Sequence, residues 1–267
     1  ISAGPGCSPA DRVRRVGSPF VPPPRQPFTR GAAEEVDSVA LVPVGDAGFG
    51  WLGAWLAGAL VASAVAVSSG ADNMAEAGPV WLFASAVTQW VPMVVVVWAL
   101  GRRHGKGDLV ADYNLRIRYI DLVGIPIGVF TQLVVLRVLY WPLRRAWPDA
   151  FSTEELEQRA RDMYEGAHGA GVVLLILVVV VGAPLVEELA YRGLIQGALT
   201  RRLGGVFGLG LAAAWFALIH FQPVEYPGLF AAGLVFGGCF LLTGRLGTSV
   251  VAHLAFNAAG LALVASS

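Results

Sequence analysis

Between Gly171 and Val181 the chain runs GVVLLILVVVV without one polar side chain, and in the APLVEELAYRG that follows it sets Glu187, Glu188 and Arg192. The apolar run and its flanks are long enough to cross a hydrocarbon layer of roughly 30 Å, which takes about 20 helical residues. An ionised side chain near the middle of such a helix costs about 2.5–3.5 kcal/mol on an insertion scale, so three within six residues require partners or a task. On a helix, residues four apart share a face and adjacent residues diverge by about 100°. Glu188 therefore stacks over Arg192, acid nearer the N-terminus, whereas Glu187 turns away from that pair. One carboxylate has a counter-ion built into its own helix, and the other is left for a partner from elsewhere or for use as a base.

The rest of the chain repeats the apolar theme. Hydrophobic residues make up 55% of it and charged residues 14%, far below the quarter usual in a soluble domain. The expected fold is an all-α, polytopic transmembrane helix bundle of about seven spans, with six to eight allowed: 48–69, 79–100, 119–142, 169–190 continuing as helix to about 203, 206–221, 227–243 and 249–266. Residues 1–47, rich in Pro and Gly and carrying FVPPPRQPF, read as a disordered cytosolic tail, leaving 48–267 as the membrane domain. The chain starts at Ile1, so its natural N-terminus is expected elsewhere.

Net charge is zero and no basic stripe is present, which argues against a nucleic-acid partner. Cys7 and Cys239 have no metal or disulfide spacing around them. The loop holding Arg102, Arg103, Lys106, Arg116 and Arg118 is expected in the cytosol, which places the N-terminus inside and Arg192, Arg201, Arg202 and Arg245 toward the cytosol. Arg144 and Arg145 then fall outside, against the trend. STEELEQRARDMYEG reads as an amphipathic surface helix, with a capping box from Ser152 to Glu155 and a Glu155–Arg159 pair. Tryptophans at span ends, Trp51, Trp81 and Trp98 among them, suggest an interfacial belt, and Arg137 a snorkelling side chain. Pro184, just ahead of the glutamates, is expected to free a carbonyl or bend the helix.

Two histidines fall in apolar segments, each with a partner one turn away: Phe216 before His220, and Asn257 after His253. A lone histidine on an apolar face is usually a packing residue. Two of them on separate helices downstream of an unpaired glutamate suggest one polar pocket. The ordered set Glu187-Glu188-x-x-x-Arg192, Phe216-x-x-x-His220 and His253-x-x-x-Asn257 resembles the CPBP family, the Rce1-type CAAX prenyl proteases and bacteriocin-processing proteins also called Abi. The resemblance covers 169–266, and the first 168 residues share only their helical character.

The resemblance implies an intramembrane endopeptidase with an Rce1-like core, acting on a peptide or a membrane-anchored protein at the bilayer. It implies that Glu187 activates water with help from His220, that His253 completes the polar cluster, that Asn257 stabilises the oxyanion, and that Glu188 and Arg192 orient the site. The cofactor reading stays open between none and Zn2+, the latter held by Glu187, His220 and His253; the absence of HExxH and the need for a free base favour metal-free chemistry. The helix-rich, Ala/Gly/Val-rich chain is expected in a bacterial plasma membrane as a multi-pass protein. The rival reading is a non-catalytic immunity factor, scaffold or transporter that keeps the helices. GKGD at Gly105–Asp108 spells the GxGD of intramembrane aspartyl proteases, but its place in the basic loop makes it a solvated turn. No serine sits in a GxSxG context that would suit a nucleophile.

Overall fold

The computed structural model describes residues 40–70 and 78–266, apart from the side chains of residues 153–155, 157 and 159. Most of the expected N-terminal tail, the capping box and the Glu155–Arg159 pair therefore lie outside the described residues. Within them the chain is helical: α1 (Val44–Ser69), α2 (Pro79–His104), α3 (Tyr119–Ala146), α4 (Thr153–Glu165), α5 (Ala170–Leu203), α6 (Gly205–Leu218), α7 (Tyr226–Thr243) and α8 (Leu246–Ser266). Six of them, α1, α2, α3, α5, α7 and α8, are long and apolar enough to span a membrane. The protein is a multi-pass helical membrane protein. Its outer face agrees with that, since Leu60, Val95, Val138 and Leu242 are exposed where a lipid-facing surface would need them.

The fifth expected span is shorter than proposed. Helix α6 has 14 residues, about 21 Å at the usual rise and too little to cross unaided. It stops because the chain runs into QPVEYP: the residue before a proline disfavours helical torsions, and Phe221 adopts φ +52°. His220 consequently lies in a turn just past the helix end rather than inside a span. The first helix also begins at Val44, four residues earlier than expected, behind Pro43 in an extended conformation. Ala40 N–H donates to the Asp112 carbonyl and Arg201 Nη2 to the Val42 carbonyl, which ties down the approach to α1.

Small residues let the helices approach closely. Gly58 of α1 lies against Gln89 of α2, and Gly233 of α7 against Ala213 of α6. Helix α3 runs parallel to α8, and a Cβ at Gly128 would collide with the backbone of Ala252 and Phe256. This spacing of Gly124 and Gly128 is the small-xxx-small pattern by which membrane helices pack without a hydrophobic driving force. Gly128→Val should destabilise the bundle by roughly 2 kcal/mol or more, read as a fall in the detergent-solubilised melting temperature.

Loops at one end are clamped by buried carboxylates. Asp112 accepts hydrogen bonds from the backbone N–H groups of Lys106, Gly107 and Asp108. The GKGD segment is thus a turn, wrapped around a buried acid. Desolvation raises the pKa of the neighbouring Tyr113 phenol, whose hydroxyl donates to the Val97 carbonyl at 2.7 Å. Asp121 takes Arg245 Nη2 at 2.7 Å and the Thr248 hydroxyl at 2.6 Å, locking the start of α3 to that of α8.

Trp51 departs from the belt expectation. It is 1% exposed and packs edge-on against Trp215 at 5.2 Å and beside Tyr191 at 5.8 Å, because its face of α1 meets α5 and α6. Arg137 is exposed on α3, in keeping with a snorkelling side chain.

Candidate active site

Helix α5 carries the two glutamates on a distorted stretch. Wide π-type turns occupy Ile176–Gly182 and Glu188–Gln196, with Ala183–Glu187 in regular helix between them. Such widened turns recur at functional sites. Pro184 has no N–H to offer the preceding turn, and the Val179 carbonyl, five residues before it, receives Asn257 Nδ2 at 2.7 Å instead. The carbonyl expected to be freed by Pro184 is found, along with the side chain that occupies it.

Glu188 and Arg192 are 0% and 2% exposed, with Glu188 Oε1 2.9 Å from Arg192 Nη1. That contact is electrostatic, not a directed hydrogen bond, since neither Arg192 Nη atom nor Glu188 Oε2 has an aligned hydrogen-bond partner among the described residues. The guanidinium lies 4.4 Å over the Phe216 ring and 5.5 Å from the Phe236 ring, so cation–π attraction shares in holding it.

His253 joins the two glutamates. Its Nδ1 is 2.8 Å from Glu188 Oε1 and its Nε2 3.9 Å from Glu187 Oε2. A carboxylate can only accept, so Nδ1 donates to Glu188, while Nε2 is turned toward Glu187. Phe236 stacks on the imidazole at 4.7 Å with planes 21° apart, and Phe216 meets it edge-on at 6.0 Å. His220 is fixed in the same way: Nδ1 donates to the Phe216 carbonyl at 2.6 Å and the ring packs edge-on against Phe216 at 4.8 Å, leaving Nε2 as the free acceptor. Phe216 therefore touches both imidazoles and the guanidinium.

Glu187 is the exposed member, with 26% of its side chain accessible. It lines a cavity of about 160 Å³ together with His220, Trp55, Gln89, Trp90 and Tyr191. Of the six residues singled out in the sequence, Glu187 and His220 face this cavity, while His253, Glu188 and Arg192 form the buried layer behind Glu187. Asn257 is one turn further along α8 with its amide committed to Val179. Its expected oxyanion role has no direct geometric counterpart here, because Asn257 does not line the cavity.

His253 follows the start of α8 by only seven residues, yet it meets glutamates deep in α5. The register explains this: Gly193 packs near both Leu246 and Tyr113, so the last ten residues of α5 extend past the start of α8, by about 15 Å at the helical rise.

Three-ligand zinc binding requires donors that converge on one point. Among the described residues no group of three or more His, Cys, Asp and Glu does so. The set Glu187, His220 and His253 does not converge into a metal site as these side chains stand.

The wall opposite α5 was not legible in the motifs. Trp55 comes from α1, and Gln89, Trp90 and Met93 from α2. One signal existed, since Gln89 is a lone carboxamide in the apolar stretch AVTQWVPMVVVV, three residues before an in-helix proline.

The apolar bundle, the buried ion pair and a carboxylate beside two oriented imidazoles define the class, a multi-pass membrane protein with a polar centre. Residues 169–259, a third of the chain, match the family model described as type II CAAX prenyl endopeptidase Rce1-like. No curated protein and no solved structure matches the chain.

Proposed function

We propose that the protein is an intramembrane endopeptidase that hydrolyses a peptide bond in a peptide or membrane-anchored protein by Glu187-activated water. The observation that carries this reading is the division of labour between adjacent acids: Glu188 is buried against Arg192 and His253, while Glu187 faces the cavity beside His220. A base must be free of a strong counter-ion to take a proton, and Glu187 meets that condition.

In the proposed reaction, water in the cavity gives a proton to the Glu187 carboxylate as its oxygen bonds to the scissile carbonyl carbon. His220 Nε2, held outward by the bond from Nδ1 to Phe216, accepts a hydrogen bond from that water. The tetrahedral intermediate then collapses, the C–N bond breaks, and the proton held by Glu187 passes to the departing amine. His253, aimed by Glu188, sets the orientation of the Glu187 carboxylate. Asn257 acts at one remove by holding the Val179 carbonyl, which stabilises the turn leading into Glu187. Asn257→Ala should cost about 1–2 kcal/mol of stability through the unsatisfied carbonyl and lower cleavage partially, measured as melting temperature and turnover on one preparation.

With this chemistry, activity should persist after treatment with 1,10-phenanthroline; chelator-induced loss that zinc restores would assign Glu187 a ligand's role instead. Arg102, Arg103, Arg116, Arg118, Arg201, Arg202 and Arg245 gather at one end of the bundle, and we place that end in the cytosol of a bacterial cell. The test of function is comparative proteomics of membrane and secreted fractions from cells carrying wild type or Glu187→Gln. A precursor that accumulates only with the variant supports the proposal, and identical proteomes refute it.

A further inference from the structure

We infer that Gln89 is a substrate-binding residue, whose carboxamide hydrogen-bonds the backbone of the peptide at the scissile bond; the inference rests on the proteolytic reading above. Helix α2 lies outside the region that matches the family, yet it delivers Gln89 to the cavity that Glu187 and His220 face. The side chain fits there because Gly58 has no Cβ to exclude it: a carbon at that position would sit 3.0 Å from the Gln89 amide nitrogen. Its Nε2 makes one long bond, 3.4 Å to the Trp55 carbonyl. That leaves a second amide hydrogen and the Oε1 acceptor.

The chemistry of the substrate explains the need for such a group. A peptide bond can be attacked only when its carbonyl is accessible, so the segment must be unwound, and unwinding exposes N–H and C=O groups with no water to satisfy them in a bilayer. A carboxamide donates and accepts together and can pair with both groups of one peptide unit. Of the amide side chains near the centre, Asn257 is committed to Val179 and Gln196 to the Gly237 carbonyl, and Gln89 is the one on the cavity wall. The rest of that wall, Trp55, Trp90, Met93, Val186 and Ile219, is apolar or aromatic and leaves few alternatives for backbone recognition.

The probe is a quenched fluorescent peptide spanning the junction of the precursor that accumulates with Glu187→Gln, assayed on full-length protein in proteoliposomes. Gln89→Met keeps the length and shape of the side chain and should lower kcat/KM at least tenfold, mainly through KM, with an unchanged melting temperature. Gln89→Asn keeps an amide on a shorter stem and should recover part of the loss. Wild type should likewise lose at least tenfold on a peptide N-methylated next to the scissile bond, and Gln89→Met should lose little more on that peptide. Wild-type kcat/KM for Gln89→Met, equal losses for the Met and Asn variants, or independent losses from variant and N-methylation would overturn the inference. If Gln89→Met fails to fold, the N-methylated peptide on wild type and the Asn variant decide the matter. Cleavage by wild type with no effect of Gln89 rejects this inference alone, whereas no cleavage by wild type rejects the proteolytic reading itself.

Discussion

Glu187→Gln is expected to lower cleavage at least about 100-fold, the low end of what a positioned general base contributes, while the protein inserts and accumulates as wild type. The amide has nearly the shape of the carboxylate, and the side chain is partly open to the cavity. No buried charge loses its partner, so the melting temperature should move by less than about 1 kcal/mol of stability allows. The pairing of lost turnover with retained fold separates an enzyme from a scaffold or transporter that has merely kept the helices. Undiminished turnover by this variant would leave the non-catalytic reading standing.

Five residues further along the chain the outcome should reverse. Arg192→Met removes the guanidinium from a Glu188 that is fully buried, and breaking such a pair typically costs about 3–5 kcal/mol because an uncompensated charge stays behind. It also deprives Phe216 and Phe236 of the cation between them. We expect poor accumulation and a strongly lowered melting temperature, with activity lost as a consequence of misfolding. Glu188→Gln with Arg192→Met in one chain should recover much of the stability and none of the activity, since His253 then has no anion to orient it. Thermal unfolding in detergent, set beside turnover of the same preparation, distinguishes the two classes of defect.

The adjacent acids were separable in the sequence because the helical angle alone turns Glu187 away from the Glu188–Arg192 face, and the structure keeps that separation even through widened turns. The bundle and most of its boundaries were also legible, because crossing lipid demands long apolar runs. What could not be read was long-range pairing. Nothing local indicates that His253 donates to Glu188 sixty-five residues away, or that Asn257 is occupied by a carbonyl on α5. The cavity wall supplied by α1 and α2 was missed for the same reason. Trp51 looked interfacial by its place near a helix end, whereas the direction its side chain faces, set by packing with α5 and α6, decided its burial. His220 was assigned to a span because apolar composition does not register the stop that QPVEYP imposes.

The lock between the starts of α3 and α8 bears on biogenesis. Glu187, Glu188, Arg192 and His220 all leave the ribosome before the segment that bears His253. A nascent chain paused at Gly244 would hold an acid pair lacking its imidazole and an α3 whose Asp121 has neither Arg245 nor Thr248 to grip. Docking of the last helix is therefore the step that completes the centre, and the proposed hydrolysis can begin only once the whole bundle has assembled.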